Sequence, residues 1–415
     1  MTSFIPRSAE GWRDPFSMYA DLRDTDPAHH VVDGNYWVLS RHADVIDAAR
    51  DTETFSSAQG LTFTYDDLAS VGLDEIAPMV FLDPPDHTEF RRLVARGFTP
   101  RQVTSIEPEV REFVISRIDA LCASSGHGAG GEGGGEGGGN RDIVSELLKP
   151  LPTMVVGHYL GVPVEDRSSF DGWVEQIVGA SATGNIFDAM ETVAQVIEYF
   201  TALVESRRVS PGEDVISELV QAGDGAAVDP MRILGFAFTM MTGGNDTSTG
   251  MLSVGLELLS QQRDQWGLLV EQPDLIPNAV TELLRLSSPV QGLARTTTRD
   301  VELHDKVIPA QTKVMLLYAS ANRDPRQFGP TAADLDVTRP PGAILTFGHG
   351  AHYCLGAAAA RLMGRVVLEE LAARCPNFTV DGTNGRFSAG HFVRWYESLP
   401  FDPYGHNENQ HRAPT

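Results

Sequence analysis

The stretch "DPMRILGFAFTMMTGGNDTSTGMLSVGLELLSQQ", Asp229 to Gln262, constrains the fold more than any other part of the chain. An aspartate cap followed by proline at the first helical position starts a helix, and the helical pattern then continues for roughly eight turns, about 45 Å at 1.5 Å per residue. Its first half is apolar on nearly all sides, so it must run through the middle of the protein with the other elements packed around it. Two adjacent glycines, Gly243 and Gly244, sit in that buried middle at a cost of roughly 1 kcal/mol each relative to alanine. Just beyond them, Asp246 and Thr247 place a carboxylate and a hydroxyl in apolar surroundings, where an unpartnered charge is expensive. Thr247 can bond back to the carbonyl of Gly243, four residues earlier, and open the helical ladder into a groove for a water or a small ligand. A helix crossing at the glycines, with Asp246 bonded to a neighbouring loop, accounts for the same residues, and this segment alone leaves both readings open.

With 415 residues, 42% hydrophobic and 21% charged, the chain can bury a large core around this helix. Most of the remainder is helical in pattern, with alternating or β-branched pieces at "YWVLS", "DVELHDKVIPAQTKVML" and "FTV". The expected architecture is therefore mainly α with a minor β portion. The tract "SSGHGAGGEGGGEGGGN", residues 124–140, cannot offset its conformational entropy with buried side chains and is read as a flexible loop. Helical patterns on both sides of it look like parts of one core, so it is taken as an insertion in a single domain spanning 1–415, with residues 405–415 as a disordered tail. No secretory signal and no bilayer-spanning apolar stretch is evident, which gives a cytoplasmic expectation with no membrane partner. A formal charge of −24, from 32 basic and 56 acidic residues, argues against nucleic acid as a partner. An acidic protein partner would have to find a local basic patch.

Cys122, Cys354 and Cys375 are an odd number of cysteines without a C-x-x-C pair, which speaks against a disulfide framework or a structural zinc site. In "FGHGAHYCLGAAAAR", Phe347 to Arg361, Cys354 stands at the mouth of a helix predicted to begin near Leu355. Free backbone N–H groups and the helix dipole there lower a thiol pKa and favour the metal-binding thiolate. Gly348, Gly350 and Gly356 permit a tight bend with its donors turned inward. A lone cysteine is ordinarily a small core hydrophobe. A zinc site on His349, His352 and Cys354 lacks a fourth ligand, and a nucleophilic Cys-His pair lacks a group to orient the histidine.

The spacing F-x-x-G-x-x-x-C-x-G, filled by Phe347, Gly350, Cys354 and Gly356, resembles the haem-ligand signature of the cytochrome P450 family, with His352 where that family commonly has arginine or histidine. "GGNDTS" is similar to the family's oxygen-groove motif. E-x-x-R occurs four times, at Glu10/Arg13, Glu89/Arg92, Glu205/Arg208 and Glu282/Arg285, and only the last lies where the family has it, with Arg339 as its downstream partner. Within the family, "TFSSAQGLT", "GGNDTSTGML" and "SPVQGLARTTTRDV" most resemble family 130 of the soluble bacterial members.

The resemblance implies the cytochrome P450 fold and a haem-thiolate monooxygenase that inserts one atom of dioxygen into a small hydrophobic substrate. It implies haem b as cofactor, with Cys354 as axial ligand of the iron, Gly243 in the oxygen groove, and His87, Arg91, Arg295 and His352 on the propionates. Asp246 and Thr247 would deliver protons. Phe236, Ala237, Met240, Gly244, Val290, Leu293 and Phe392 would line the substrate pocket. Electrons would come from NAD(P)H through a ferredoxin reductase and a ferredoxin, with Arg361 and Arg365 as a basic docking patch or as ordinary salt-bridge partners. A peroxide-driven peroxygenase and a non-catalytic haem protein that binds a ligand are the alternatives. Two departures from the family pattern stand out: Gln311 where glycine is common, which puts that turn's geometry in question, and Trp395 where glycine is usual.

Overall fold

The computed structural model describes residues 3–65, 78–123, 141–183, 190–222 and 228–405. The expected insertion at 124–140 lies outside the described residues, as does the expected tail apart from Gly405. Six helices frame the site: α1 (Asp86–Val94), α2 (Glu107–Ala123), α3 (Pro150–Leu160), α4 (Pro230–Gln261), α5 (Ile276–Ser287) and α6 (Ala357–Arg374).

Helix α4 is the long element expected from the sequence, 32 residues with Pro230 in its first turn. The Asp229 carboxylate caps it by accepting a hydrogen bond of 2.9 Å from the Met231 N–H. The all-round burial expected of its first half falls in its second: residues 248–256 are all buried, whereas in the first half Ile233, Phe236, Ala237 and Met241 enter the core while Met231 and Gly243 are exposed. Helices α3 and α5 pack along it, and α6 packs on α5 and α2. Close approach of α6 depends on Gly364, where an added Cβ would lie 3.1 Å from side-chain atoms of both Met251 and Val280. These contacts form one continuous apolar core from α2 to α6.

The minor β portion centres on a five-stranded sheet. Its strands are β1 (Ala28–Val31), β2 (Tyr36–Leu39), β3 (Phe55–Ser56), β4 (Leu293–Thr297) and β5 (Lys313–Leu316), in the order β1-β2-β5-β4-β3. Strands β2 and β5 run parallel, and β4 pairs antiparallel with β5 so that Arg295 faces Val314 across the ladder. Because side chains alternate along a strand, Arg295 shares a face with Leu293. In the turn leading to β5, Gln311 takes a left-handed backbone with φ 59°. Glycine suits that conformation without penalty, whereas glutamine bears a cost of about 1–2 kcal/mol. The turn survives because the Gln311 N–H donates to the Thr297 carbonyl at 2.7 Å and its side-chain carbonyl accepts from Gln59 at 2.9 Å. Among the described residues, no helix is long and apolar enough to cross a membrane.

Candidate active site

The cysteine bend is built by backbone geometry. Gly348 and Gly350 both have positive φ, 67° and 69°. A Cβ at Gly350 would also press to 3.0 Å from the Ala49 carbonyl oxygen. The bend closes when the Cys354 N–H donates to the Phe347 carbonyl at 2.8 Å. Phe347 is buried, and its ring lies 4.6 Å from the Arg361 guanidinium. Helix α6 begins at Ala357 with Gly356 as its cap, two residues later than the sequence pattern suggests.

Cys354 is accessible to solvent, yet burial is the largest influence on its thiol and pushes its pKa up. The two observations agree if the sulfur faces a cleft inside the fold. The Gly356 N–H, Arg91 and Arg361 all act in the opposite direction without overcoming the burial. The expected depression of the thiol pKa is thus reversed, because the sulfur stands before the helix start amid low-dielectric protein. A bound cation would restore the thiolate, since a coordinating thiol is deprotonated outright.

Four basic side chains gather near this sulfur. His87 and Arg91 lie one turn apart on α1, Arg295 comes from β4, and His352 from the cysteine bend. The rings of His87 and His352 are 4.1 Å apart. His352 is pushed down to about 3 by burial, with Arg295, His87 and Arg91 adding to the effect. His87 is lowered by burial and then by Arg91. Among the described residues none of the four forms an ion pair, and neither ring nitrogen of the buried His87 has a hydrogen-bond partner. Arg91 donates to the Tyr353 carbonyl, Arg295 to the Ala294 carbonyl at 2.8 Å, and His352 meets Ser57 at 3.2 Å. Burial favours the neutral form of both imidazoles, so the charge of the cluster is that of Arg91 and Arg295, which have no carboxylate ion pair among the described residues; the cluster suits an anionic ligand that the neighbouring imidazoles can hydrogen-bond.

On α4 the two glycines have different jobs. A Cβ at Gly243 would meet nothing within 4 Å, whereas one at Gly244 would lie 2.9 Å from Val156 of α3. Gly243 thus faces open space, and Gly244 lies where α4 crosses α3. Thr247 donates to the Gly243 carbonyl at 2.8 Å, as its spacing anticipated. Asp246 receives no hydrogen bond among the described residues, and burial pushes its carboxyl up to about 7, with Lys149 opposing and Glu397 reinforcing the shift. Asn245 faces α3, donating to Thr153 at 2.6 Å.

Phe236 and Ala237 are fully buried in the core, and Phe236 meets Phe90 of α1 edge-on at 6.2 Å. They brace α4, and Thr239 and Met240 one turn nearer Gly243 are only partly buried. Thr239 could have been found from its spacing of four residues before Gly243. Val290 and Phe392 come together from distant segments: Val290 bridges Val393, and the Gln291 N–H donates to the Phe392 carbonyl at 2.9 Å. Phe63 packs on Phe392 with ring centres 5.2 Å apart, a contact that no local sequence signal marks. Leu293 is partly buried at the start of β4.

Of the four E-x-x-R matches, Glu282–Arg285 is the buried one, with side chains 4% and 1% exposed, against 66% and 36% for Glu10–Arg13. Arg285 reaches Glu282 through two bonds of 2.7 Å, and Arg339 joins at 3.0 Å. Arg365 pairs with Glu107 at 2.6 Å and Glu369 at 3.1 Å, which makes it a structural ion-pair residue and leaves Arg361 alone of the expected docking pair. Among the described residues no group of three His, Cys, Asp or Glu is placed to hold a metal ion.

Comparison with known proteins shows the family. The Cytochrome P450 family profile matches residues 269–381, which include the Glu282–Arg285 pair and Cys354. The chain is 56% identical to cytochrome P450 130 of Mycobacterium tuberculosis over 95% of its length and 96% of that protein's. It is 34% identical to the vitamin D(3) 25-hydroxylase of Pseudonocardia autotrophica, covering 89% of this chain and 88% of that one. The solved structure of cytochrome P450 CYP109Q5 from Chondromyces apiculatus superposes with a TM-score of 0.83 at 30% identity, over 96% of this chain and 97% of that one. A cysteine bend, a cationic cluster and a grooved central helix, in a chain this similar to known members, place the protein in the cytochrome P450 family of haem-dependent monooxygenases.

Proposed function

We propose that the protein is a ferredoxin-fed haem-thiolate monooxygenase acting on a small hydrophobic organic substrate, in which Cys354 and the basic residues near it would hold haem b. The observation that carries this reading is the solvent-reachable Cys354 thiol beside four basic groups without carboxylate partners. These residues fit the cofactor: two propionates would satisfy His87, Arg91, Arg295 and His352, and the orphaned nitrogens of His87 supply the missing donor. When bound, haem supplies the redox chemistry that splits dioxygen and inserts one of its atoms into an unactivated C–H bond.

The chain's own residues then have distinct tasks. Thr247 spends its proton on the Gly243 carbonyl, so its oxygen is left to accept a hydrogen bond from a water in the groove. Asp246, poised near neutrality, both holds and releases a proton at working pH, which suits it to relay protons from solvent. This pair favours dioxygen reduction over direct use of peroxide. Glu282, Arg285 and Arg339 hold the end of α5 to the segment leading into the cysteine bend. Met240, Val290, Leu293 and Phe392 offer a mainly apolar surface, and the relative named vitamin D(3) 25-hydroxylase points to the same substrate class. Arg361, on the Cys354 side of an otherwise acidic protein, is our candidate for ferredoxin contact, with NAD(P)H and a flavoprotein reductase upstream. We assign the cytoplasm, where free thiols such as these stay reduced, and a single domain over 1–415 with 124–140 as an inserted loop.

The test is the visible spectrum of the purified protein after dithionite and carbon monoxide. A strongly red-shifted Soret band in the wild type, lost in Cys354→Ala, is the expected result. A histidine-like spectrum that Cys354→Ala leaves unchanged would overturn the assignment.

A further inference from the structure

The other two cysteines, set aside by their odd count, meet in the structure. Cys122 lies in the last turn of α2 and Cys375 caps the end of α6. Their sulfurs are 2.9 Å apart although 253 residues separate them along the chain. That separation is well inside ordinary van der Waals contact for two sulfurs. The pair sits on helix ends that are clamped together. Arg111 of α2 bonds Glu369 and Glu370 of α6 at 2.6 and 2.5 Å, Arg365 bonds Glu107 at 2.6 Å, and Arg374, next to Cys375, bonds Asp119 at 3.2 Å. The Cys122 carbonyl is also held from the far side by the Tyr404 hydroxyl at 3.3 Å. Cys375 is 1% exposed and Cys122 half-buried, so one sulfur is sheltered and the other can be reached.

We propose that Cys122 and Cys375 are a reversible redox pair, oxidised by hydrogen peroxide to a disulfide that ties the end of α2 to the end of α6. The Cys122 sulfur attacks peroxide, the O–O bond breaks, and a sulfenic acid and one water result. The Cys375 sulfur then displaces the sulfenic oxygen: the S–S bond forms as the S–O bond breaks, and the Cys375 proton leaves with that oxygen as a second water. In total two thiols give up two electrons and two protons, and one peroxide becomes two waters. Burial and the neighbouring Cys122 hold the Cys375 thiol well above its ordinary range, which keeps it protonated and unreactive until its partner is oxidised. Transient, redox-sensing bridges of this kind are the ones compatible with a reducing compartment. The bridge would fix the far end of the helix that begins beside Cys354.

The experiment uses the full-length, haem-loaded protein, reduced, freed of reductant and treated with a small excess of hydrogen peroxide. It is then quenched with catalase, and its thiols are alkylated in denaturant. The expected result is a mass loss of about 2 Da before alkylation, a fall in alkylated cysteines from three to one, and a non-reducing digest containing Cys122 joined to Cys375. Dithiothreitol should reverse all three changes. The thermal midpoint should rise on oxidation in the wild type and stay unchanged in Cys122→Ser, a half-buried substitution chosen because Cys375→Ser alters the core. Three labelled thiols after peroxide would overturn the proposal. So would oxygen adducts on Cys122 with Cys375 still alkylated, a bridge involving Cys354, or the same midpoint rise in Cys122→Ser.

Discussion

Replacing Asp246 by asparagine should stabilise the protein, and by an amount that depends on pH. Burial raises the Asp246 carboxyl from 3.8 to about 7, so the folded state binds a proton there that the unfolded chain has already released over most of that range. Stability attached to this group is therefore complete below about pH 4 and is lost as pH rises through about 7. At about 1.36 kcal/mol per pKa unit the whole span is worth about 4 kcal/mol. That figure is a ceiling, because the side chain keeps some contact with solvent. Between pH 5.5 and 7, where the protein can be handled, about 2 kcal/mol should be lost by the wild type and not by Asp246→Asn. Urea unfolding of both haem-loaded proteins at intervals from pH 5.5 to 8.5 measures the difference. The gap between the two proteins should be smallest at pH 5.5, where about half of the span is already lost, and should widen to a plateau above pH 7.5, with Asp246→Asn the more stable. A difference that is flat with pH, or an Asp246→Asn protein less stable at pH 8, would refute the argument by showing that the carboxylate has a compensating partner. The same substitution should lower turnover with dioxygen while leaving haem binding intact.

Thr247→Ala should keep haem and substrate binding but divert reducing equivalents to hydrogen peroxide, read as NAD(P)H consumed without matching product; normal coupling would count against its role. Glu282→Gln leaves the Arg285 guanidinium buried with one donor facing another, and should cost about 3–5 kcal/mol, visible as a lower unfolding midpoint. Arg339→Ala should cost less, because Arg339 is the more exposed partner and contributes one bond to Glu282. His87→Leu should speed haem transfer to apomyoglobin by about tenfold, the worth of one charge-assisted hydrogen bond. It should leave the haem-free protein as stable as before, since neither His87 nitrogen has a protein partner to lose.

Much of the site is legible in the sequence because its constraints are local. A ten-residue bend needs glycines at fixed places, and a helical threonine four residues after Gly243 is in reach of that carbonyl. The tertiary structure was needed wherever the same residues admit two environments. Gly243 and Gly244 are indistinguishable in sequence, and the position of Val156 on another helix packs against one and leaves open space beside the other. Four E-x-x-R matches are chemically identical, and depth selects Glu282–Arg285, because exclusion of water is what makes an ion pair a fixed scaffold. The helix dipole at Cys354 can be read locally, but the burial that outweighs it is a sum over atoms from distant segments. Cysteine counting likewise misses Cys122 and Cys375, since spacing along the chain carries no record of which helix ends pack together. Sequence fixes what a short segment can do, and the three-dimensional packing of remote segments sets the dielectric, the neighbours and hence the chemistry each group performs.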